Sequence, residues 1–237
     1  MASTQLPRHI SRQFDNELET IREHVLNMGG LVEQQLVDAL KALTDSDTSR
    51  GEEVVRKEPE VNTYEVSIDE ECTKILARRQ PAAGDLRLIT AVIKTITDLE
   101  RIGDEAEKVA QMAIYLAEKQ GAKSYYIGIN AMGNFVREMV NDSLDAFARM
   151  DSKAALRTAA REPDSDEQYT AILRQLVTYM MEDPRSISSV IDAIWMVRAL
   201  ERIGDHARNI CEYVIYFVEG KDVRHLSIEE MKKEVSP

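Results

Sequence analysis

Two pairs of acidic residues have the spacing and the surroundings that chemistry would need. The pentapeptide Glu-Arg-Ile-Gly-Asp occurs at residues 100–104 and again, letter for letter, at residues 201–205. In each copy the Glu and the Asp are four residues apart, which places them on one face of a helix. Like charges at that spacing destabilise a helix by about 0.2–0.5 kcal/mol. A positive charge should therefore lie near each pair.

That positive charge has two possible sources. In the first interpretation Glu100 and Asp104, and likewise Glu201 and Asp205, pair with Arg or Lys on a neighbouring helix. In the second, carboxylate oxygens from facing helices hold a divalent or iron-type metal ion. Further candidate ligands are Glu65, Asp69, Asp166 and Asn209. Lys108 stands beside the first pair where Asn209 stands beside the second, and it could be the counter-charge there. The residues therefore favour a metal at the second pair over the first.

Other reactive residue types have plainer interpretations. The four histidines offer no Glu-x-x-His motif, which argues against a di-iron oxidase, and His206 is expected at the surface. Cys72 and Cys211 lie in apolar helical patterns and should be small buried hydrophobes in a reducing compartment. Trp195 has helical spacing with two tyrosines and is expected in core or interface packing. Because no nucleophile with a base and no phosphate-binding loop occurs, the chain is not expected to be an enzyme.

The bulk composition indicates a helical protein. The chain has 237 residues, of which 43% are hydrophobic and only 5% aromatic, with 10 Gly and 6 Pro. Few aromatics and few turn residues favour an all-α fold. The net charge of −12 argues against non-specific nucleic-acid binding. The N-terminus lacks the apolar core of a signal peptide, and no run approaches the ~20 apolar residues of a spanning helix. We expect a cytoplasmic chain that meets the membrane only through partners.

Apolar periodicity predicts six long helices. In the first, buried positions are expected at Phe14, Leu18, Ile21, Val25, Met28 and Val32. The six predicted helices cover about residues 11–43, 48–79, 85–118, 125–150, 152–182 and 187–219. Pro59 falls inside the second, where it should kink the helix or mark a break in it, and Pro163 falls inside the fifth in the same register, so the kink is expected in both halves. Gly103 and Gly204 lie in helix interiors at a cost of about 1 kcal/mol relative to Ala, so another backbone should pack closely there.

The second half of the chain repeats the first. Met28-Gly29 returns as Met132-Gly133, and the residues around Pro59 return around Pro163, in both cases 104 positions later. The pentapeptides are 101 positions apart. The repeat predicts two tandem three-helix bundles made of six antiparallel helices, at residues 8–120 and 121–220. A polar tail, residues 221–237, should form one short helix or fray.

These residues together resemble the PhoU family of phosphate-specific transport system accessory proteins. The resemblance rests on Met28-Gly29-Gly30, Gln80-Pro81, Asp85-Leu86-Arg87 and both pentapeptides, and it covers about residues 9–226. It implies a cytoplasmic negative regulator of the phosphate-starvation response, often a homodimer. Such a regulator couples the nucleotide-binding subunit of the phosphate ABC transporter to a phosphate sensor histidine kinase and modulates phosphate uptake. Asp85 and Arg87 are candidate partner contacts.

The resemblance also bears on metal binding. Some family members bind metal clusters through paired E(D)-x-x-x-D motifs, which here correspond to Glu100/Asp104 and Glu201/Asp205, with Glu65/Asp69 on the second helix. Two positions depart from the family pattern, because Asn62 stands where Asp is frequent and Lys108 where Asn is frequent. Both changes weaken the first site. A metal-binding carboxylate bundle with a buffering or enzymatic role is therefore the alternative function, although no cofactor is required for the regulatory one.

Overall fold

Eight α-helices account for nearly all of the chain that the structure, a computed structural model, describes: residues 12–81, 83–119 and 126–235. They are α1 (Arg12–Asp45), α2 (Thr48–Arg79), α3 (Ala83–Glu118), α4 (Tyr126–Arg149), α5 (Ser152–Ala159), α6 (Glu162–Glu182), α7 (Ile187–Glu219) and α8 (Ile228–Glu234). A short 3-10 turn, Pro184–Ser186, links α6 to α7. None of the helices described is long and apolar enough to cross a bilayer.

Each half of the chain packs around its last long helix. In the first half α1 and α2 both pack on α3, and in the second half α4, α5 and α6 pack on α7. The predicted stripe of α1 is buried at all six positions from Phe14 to Val32. Cys72 and Cys211 are also fully buried, as expected, and burial raises the pKa of the Cys72 thiol to about 12. The predicted all-α fold in two tandem three-helix units is confirmed.

The turn between the first two helices of each half is the same structure built twice. Ser46 and Met150, which are 104 positions apart, both adopt a positive φ, 55° and 53°. The next residue is an N-cap in both copies: Asp47 accepts a hydrogen bond from the Arg50 N–H and Asp151 from that of Ala154. Such side-chain caps satisfy amide donors that the first turn of a helix leaves unpaired. The sequence repeat is therefore also a repeat of local conformation.

The two prolines do not behave alike, which corrects the prediction of a shared kink. Pro59 lies inside the uninterrupted α2, whereas Pro163 lies in the first turn of α6, after a break at Ala160 and Arg161. A proline in a first turn costs little because the amide there has no helical acceptor, while an interior proline removes one hydrogen bond. The break divides the predicted fifth helix in two and places Glu162 at the start of α6.

Contacts between α1 and α4 show that the two halves are related by an approximate twofold axis. A Cβ atom on Gly29 would stand 2.6 Å from Leu144, and one on Gly133 would stand 2.3 Å from Leu40. Gly29 corresponds to Gly133 and Leu40 to Leu144, so each contact is the image of the other. Reciprocal contacts of this kind define a twofold interface. The repeated Met-Gly step is thus the place where one helix admits the leucine of the other.

The two central helices, α3 and α7, join the halves through paired polar groups. Asp98 on α3 is buried and accepts hydrogen bonds from Asn209 and from the Nδ1 atom of His206, at 3.1 and 2.6 Å. Glu105, also buried, pairs with Arg202 of α7 at 3.1 Å. His206 is therefore not the surface residue that the sequence suggested, because α3 crosses over that face of α7.

The end of α7 is closed by Gly220 and the tail. Gly220 has a φ of 74°, and a Cβ there would lie 3.5 Å from the Arg87 guanidinium. Beyond it the tail forms α8, with a capping box between Ser227 and Glu230; α8 packs on α5, and its Met231 is buried. The tail is thus part of the second unit rather than a frayed end.

Candidate functional site

An acidic cluster lies between α2 and α3 of the first unit. Glu58 on α2 faces Asp104 on α3: burial, followed by the charges of Asp104 and Glu107, raises the pKa of the Glu58 carboxyl. Burial, then the charges of Asp104 and Glu65, likewise raises the pKa of Glu100. These groups form the first cluster: Glu58, Asn62, Glu65, Glu100, Asp104 and Glu107. Two of its predicted members, Glu100 and Asp104, thus meet a third, Glu65, across the helix pair.

A second cluster occupies the equivalent place between α6 and α7. One oxygen each of Glu162, Asp166 and Asp205 lies within 4.8 Å of the others. The pKa of Asp205 is raised by burial and then by Glu162 and Asp166. The pKa of Glu201 is raised by burial and then by the charge of Asp205. The second cluster therefore comprises Glu162, Asp166, Glu201 and Asp205, three of which were predicted ligands.

Four positions of the first cluster, those of Glu58, Asn62, Glu100 and Asp104, have their equivalents in the second cluster. Glu58 and Glu162 are 104 positions apart, as are Asn62 and Asp166. The amide of Asn62 thus replaces a carboxylate at one corner of the first cluster. Glu58 and Glu162 were not predicted as site residues. The repeat itself carried the signal, since both precede the prolines that are in register.

The glycine of each pentapeptide brings the two helices of a cluster together. A Cβ on Gly103 would lie 3.3 Å from Val61 and 3.5 Å from the Gln35 amide oxygen. A Cβ on Gly204 would lie 3.1 Å from the Ser165 hydroxyl. In both copies the nearest neighbour of the glycine is therefore a side chain of the preceding helix. The prediction that another backbone packs closely there is wrong. Either way, the absence of a side chain lets the acidic faces approach.

Positive side chains are distributed unequally between the clusters. In the second, Arg208 donates to Glu162 at 2.6 Å and to Glu212 at 3.1 Å, and Arg198 donates to Glu201 at 2.8 Å. In the first, the shortest ion pair made by its described carboxylates is that of Arg101 with Glu100, at 4.0 Å. Protein counter-ions therefore stabilise the second cluster far more than the first.

Lys108 and Asn209, the two residues expected to distinguish the clusters, make their contacts outside them. Lys108 was predicted to neutralise Glu100 and Asp104, but its amine lies 3.0 Å from Glu105. Asn209 was a predicted ligand, but its amide donates to Asp98 at the crossing of α3 and α7. Both side chains turn away from their clusters towards a buried carboxylate, which for Lys108 lies on its own helix and for Asn209 on the opposing central helix.

The remaining predicted residues are separate from both clusters. Asp69 is exposed one helical turn beyond Glu65. Asp85 is buried in the first turn of α3. Arg87 approaches the last turn of α7, where its Nε atom is 3.5 Å from the Phe217 carbonyl oxygen. A cation suits the carbonyl end of a helix, so the position of Arg87 has a structural explanation. Its contact with a partner stays a prediction.

The second cluster has the composition of a site for a hard cation. Carboxylate oxygens are the ligands that Ca²⁺, Mg²⁺ and Mn²⁺ prefer. Three of them converge there, and Glu201 Oε2 is buried with no hydrogen-bond partner in the described part of the chain. The first cluster also has unpaired buried atoms, Glu58 Oε1 and Asn62 Oδ1. However, no chelating group of three was found there among the described residues.

The fold and its clusters define an all-α protein built from a duplicated three-helix unit with one acidic cluster in each copy. A model of the PhoU domain matches the chain twice, at residues 25–113 and 129–214. The chain belongs to the PhoU family.

Its relatives extend over almost the whole chain. It is 54% identical over 230 residues to the phosphate-specific transport system accessory protein PhoU homolog of Pseudomonas aeruginosa, covering 97% of this chain and 95% of that protein. It is 46% identical to the Escherichia coli accessory protein PhoU, covering 98% and 96%.

Solved structures show the same fold. The crystal structure of PhoU from Pseudomonas aeruginosa superposes with a TM-score of 0.86, covering 88% of this chain and 100% of that one at 54% identity. The phosphate transport system regulatory protein PhoU from Streptococcus pneumoniae gives 0.83 at 30% identity, covering 89% and 99%.

Proposed function

We propose that this chain is an accessory protein of a phosphate transport system that keeps the phosphate-starvation response switched off when phosphate is plentiful. The observation that carries the proposal is the match to accessory proteins of phosphate-specific transport over 97% of the chain and 95% of the relative. The adaptor binds the transporter's nucleotide-binding subunit on the cytoplasmic side and a phosphate sensor histidine kinase. It works by contact between proteins and not by catalysis.

The build of the chain suits such an adaptor. Two similar units, joined through the buried pairs of α3 and α7, present two related but unequal surfaces. A duplicated scaffold of this kind can bind a different partner through each half. The net charge of −12 leaves protein partners, rather than nucleic acid, as the natural contacts.

Gene deletion in the native host tests the regulatory role. We expect phosphate-scavenging genes to be expressed in phosphate-rich medium and to be repressed again when the wild-type gene is returned. If those genes stay repressed in the deletion strain, the proposal is wrong. Capture of the nucleotide-binding subunit and of the kinase by the purified chain, with and without phosphate, then tests the two partners separately.

The partner role of the loop before α3 needs a control for folding. Because Arg87 lies against the end of α7, an Arg87→Ala variant could lose capture through a loosened helix end. Its melting temperature is therefore compared with that of Arg22→Ala, since Arg22 makes the analogous contact with the Ala148 carbonyl at the end of α4. Loss of capture by Arg87→Ala alone, at similar stability, supports a direct contact. Equal capture by both variants contradicts it.

The alternative function, cation binding by the carboxylate bundle, is favoured by one specific observation. Glu162, Asp166 and Asp205 converge within 4.8 Å, and Glu201 adds a buried unpaired oxygen. These four residues would hold the ion, which would neutralise their mutual repulsion and fix α6 against α7. Asn62 makes the first cluster the weaker candidate.

Metal analysis and calorimetry test this alternative. Protein purified without chelator is analysed for bound metals and titrated with Mn²⁺. We expect Asp205→Asn to abolish binding and its equivalent in the first unit, Asp104→Asn, to leave most of it. A wild-type chain that neither retains nor binds a divalent ion would exclude the metal role and leave the regulatory proposal intact.

A further inference from the structure

The second cluster shows what kind of group the framework common to both clusters can hold. There the guanidinium of Arg208 donates to Glu162 at 2.6 Å. Glu162 corresponds to Glu58 and Arg208 to Glu107, so the first unit has a carboxylate where the second has its arginine. A guanidinium binds carboxylates through parallel hydrogen bonds, which an arginine of another protein can make equally well. The first cluster therefore has the carboxylates of an arginine site without the arginine.

The carboxylates of the first cluster are accessible to such a group. They are half-buried and line a surface that a side chain from outside can reach: Glu58, Glu65, Glu100, Asp104 and Glu107. Apart from the 4.0 Å pair of Glu100 with Arg101, none of them forms an ion pair within the described residues. Burial and the neighbouring acids raise the pKa of Glu58 and of Glu100. An added positive charge would relieve this repulsion, which the free chain retains.

A buried amide at the first cluster is a second and independent sign of a ligand. Gln35 of α1 is 2% exposed, and neither its amide oxygen nor its amide nitrogen has a hydrogen-bond partner in the described part of the chain. The oxygen lies 3.5 Å from the position that a Cβ on Gly103 would occupy, so the side chain points at the glycine of the pentapeptide. Buried amides are almost always hydrogen-bonded. This acceptor is therefore available to an N–H donor that enters the cluster.

The second unit, which has its own arginine, lacks this amide. The position equivalent to Gln35 is Met139, which is buried and apolar. In the first cluster Glu58 also has a buried oxygen, Oε1, without a partner among the described residues. Its counterpart Glu162 is paired with Arg208. The acceptor that an arginine satisfies in the second cluster is thus unsatisfied in the first.

We infer that the first cluster is a docking site for an arginine side chain of a partner protein, which enters between α2 and α3 and takes the place that Arg208 has in the second unit. The inference rests on the proposed adaptor role and names one of its contacts. Glu58 and Asp104 bind the guanidinium, and Gln35 is a further acceptor. The partner presents its arginine on a basic segment, since a chain with a net charge of −12 attracts positive surfaces.

Supplying the arginine within the chain tests the inference. In a Glu107→Arg variant the first unit acquires the arginine of the second, which should occupy the cluster and exclude an arginine from outside. The probe is a fluorescein-labelled hexapeptide with two adjacent arginines, whose anisotropy is followed as the full chain is added at low ionic strength. We expect Glu107→Arg to weaken binding about tenfold or more. The matched control, Glu23→Arg, makes the same charge change at an exposed position of α1 and should retain most of the binding.

Two further peptides separate the guanidinium from positive charge in general. We expect the same peptide with lysines to bind more weakly, because an ammonium lacks the planar fork of donors, and the same peptide with uncharged citrullines not to bind. Circular dichroism verifies that both variants are folded. No binding of the arginine peptide by the wild type, or equal binding by the wild type and Glu107→Arg, would overturn the inference. Mn²⁺ binding that only Glu107→Arg abolishes would then identify the first cluster as a metal site.

Capture of the two proposed partners separates this inference from the adaptor role. Wild-type, Glu107→Arg and Glu23→Arg chains are compared as baits for the transporter's nucleotide-binding subunit and for the kinase. We expect Glu107→Arg to lose one partner and keep the other, and Glu23→Arg to keep both. If Glu107→Arg keeps both, the inference is wrong and the adaptor role stands. If the wild type captures neither, the adaptor role is wrong, and the peptide titration alone decides whether the first cluster binds arginine.

Discussion

The two acidic clusters have the same framework and opposite solutions to the same electrostatic problem. In both, a Glu from the preceding helix faces the Glu and Asp of a pentapeptide across a glycine. In the second cluster Arg208 and Arg198 lie on the carboxylates, whereas in the first Glu107 occupies the position equivalent to Arg208 and adds another negative charge. A repeated backbone therefore does not impose repeated electrostatics. Single side chains at the edge of each cluster determine whether its negative charges are compensated.

The largest effect should come from removing the arginine of the second cluster. Arg208 pairs with Glu162 and Glu212, whose side chains are only 11% and 7% exposed. Breaking a fully buried pair costs about 3–5 kcal/mol, and because Arg208 is itself a quarter exposed we expect about 2–3 kcal/mol for Arg208→Met. Urea unfolding measures this cost at neutral pH.

The control is the equivalent residue of the first unit. Glu107→Met should change the free energy of unfolding by no more than about 0.5 kcal/mol, since it removes a repulsive charge from Glu58. Equal losses in both variants would show that the two clusters are not electrostatically different.

The second largest effect concerns the crossing of α3 and α7. The Oδ1 atom of Asp98 accepts both hydrogen bonds there, and Asp98→Asn keeps an acceptor oxygen but removes the negative charge that strengthens both bonds. Buried charged hydrogen bonds contribute about 1.5–3 kcal/mol, so we expect a loss of about 2 kcal/mol. Asp69→Asn, at an exposed position of α2, should change the stability by less than about 0.5 kcal/mol. A similar small change for Asp98→Asn would mean that the crossing is held by apolar packing alone.

The apolar periodicity and the repeat together predicted the fold. The stripe of α1, the turn signals and the recurring Met-Gly step follow from local sequence, which is why they could be recognised. The break before Pro163 could not, because a proline in register with Pro59 gives no indication that one helix continues and the other restarts. The restart depends on backbone conformation over Ala160 and Arg161, which no residue pattern specified.

The acidic pairs were recognised from sequence, but their partners were not. Lys108 and Asn209 are one helical turn from the pentapeptides, so local spacing assigned them to the clusters. Lys108 pairs with Glu105, three residues earlier on its own helix, a local contact that the interpretation passed over, whereas the partner of Asn209, Asp98, depends on how α3 crosses α7, which is long-range information. The same limit explains why His206 was expected at the surface.

A smaller effect should follow from making the first cluster chemically like the second. Asn62→Asp restores a carboxylate at the position equivalent to Asp166, and Asp166→Asn makes the reverse change. If the second cluster binds a divalent ion, Mn²⁺ at ten times its dissociation constant stabilises the chain by about 1.4 kcal/mol. We expect Asn62→Asp to acquire a similar Mn²⁺-dependent rise in melting temperature and Asp166→Asn to lose it. If neither substitution changes the Mn²⁺-dependent rise in melting temperature, cation binding does not depend on the residue at this position.

The smallest effect should distinguish the clusters by its sign. Burial and the neighbouring acids raise the pKa of Glu58, so the folded chain holds that proton more tightly than the unfolded chain. Its ionisation therefore costs stability, and the cost grows as pH rises from the ordinary carboxyl pKa through the raised one. Glu58→Gln removes the cost and should stabilise the chain by about 0.5 kcal/mol at neutral pH, with no gain in acid. Glu162→Gln removes the partner of Arg208 and should destabilise it at neutral pH. Urea unfolding at two pH values measures both changes, and a loss for Glu58→Gln at neutral pH would mean that a positive group compensates the first cluster after all.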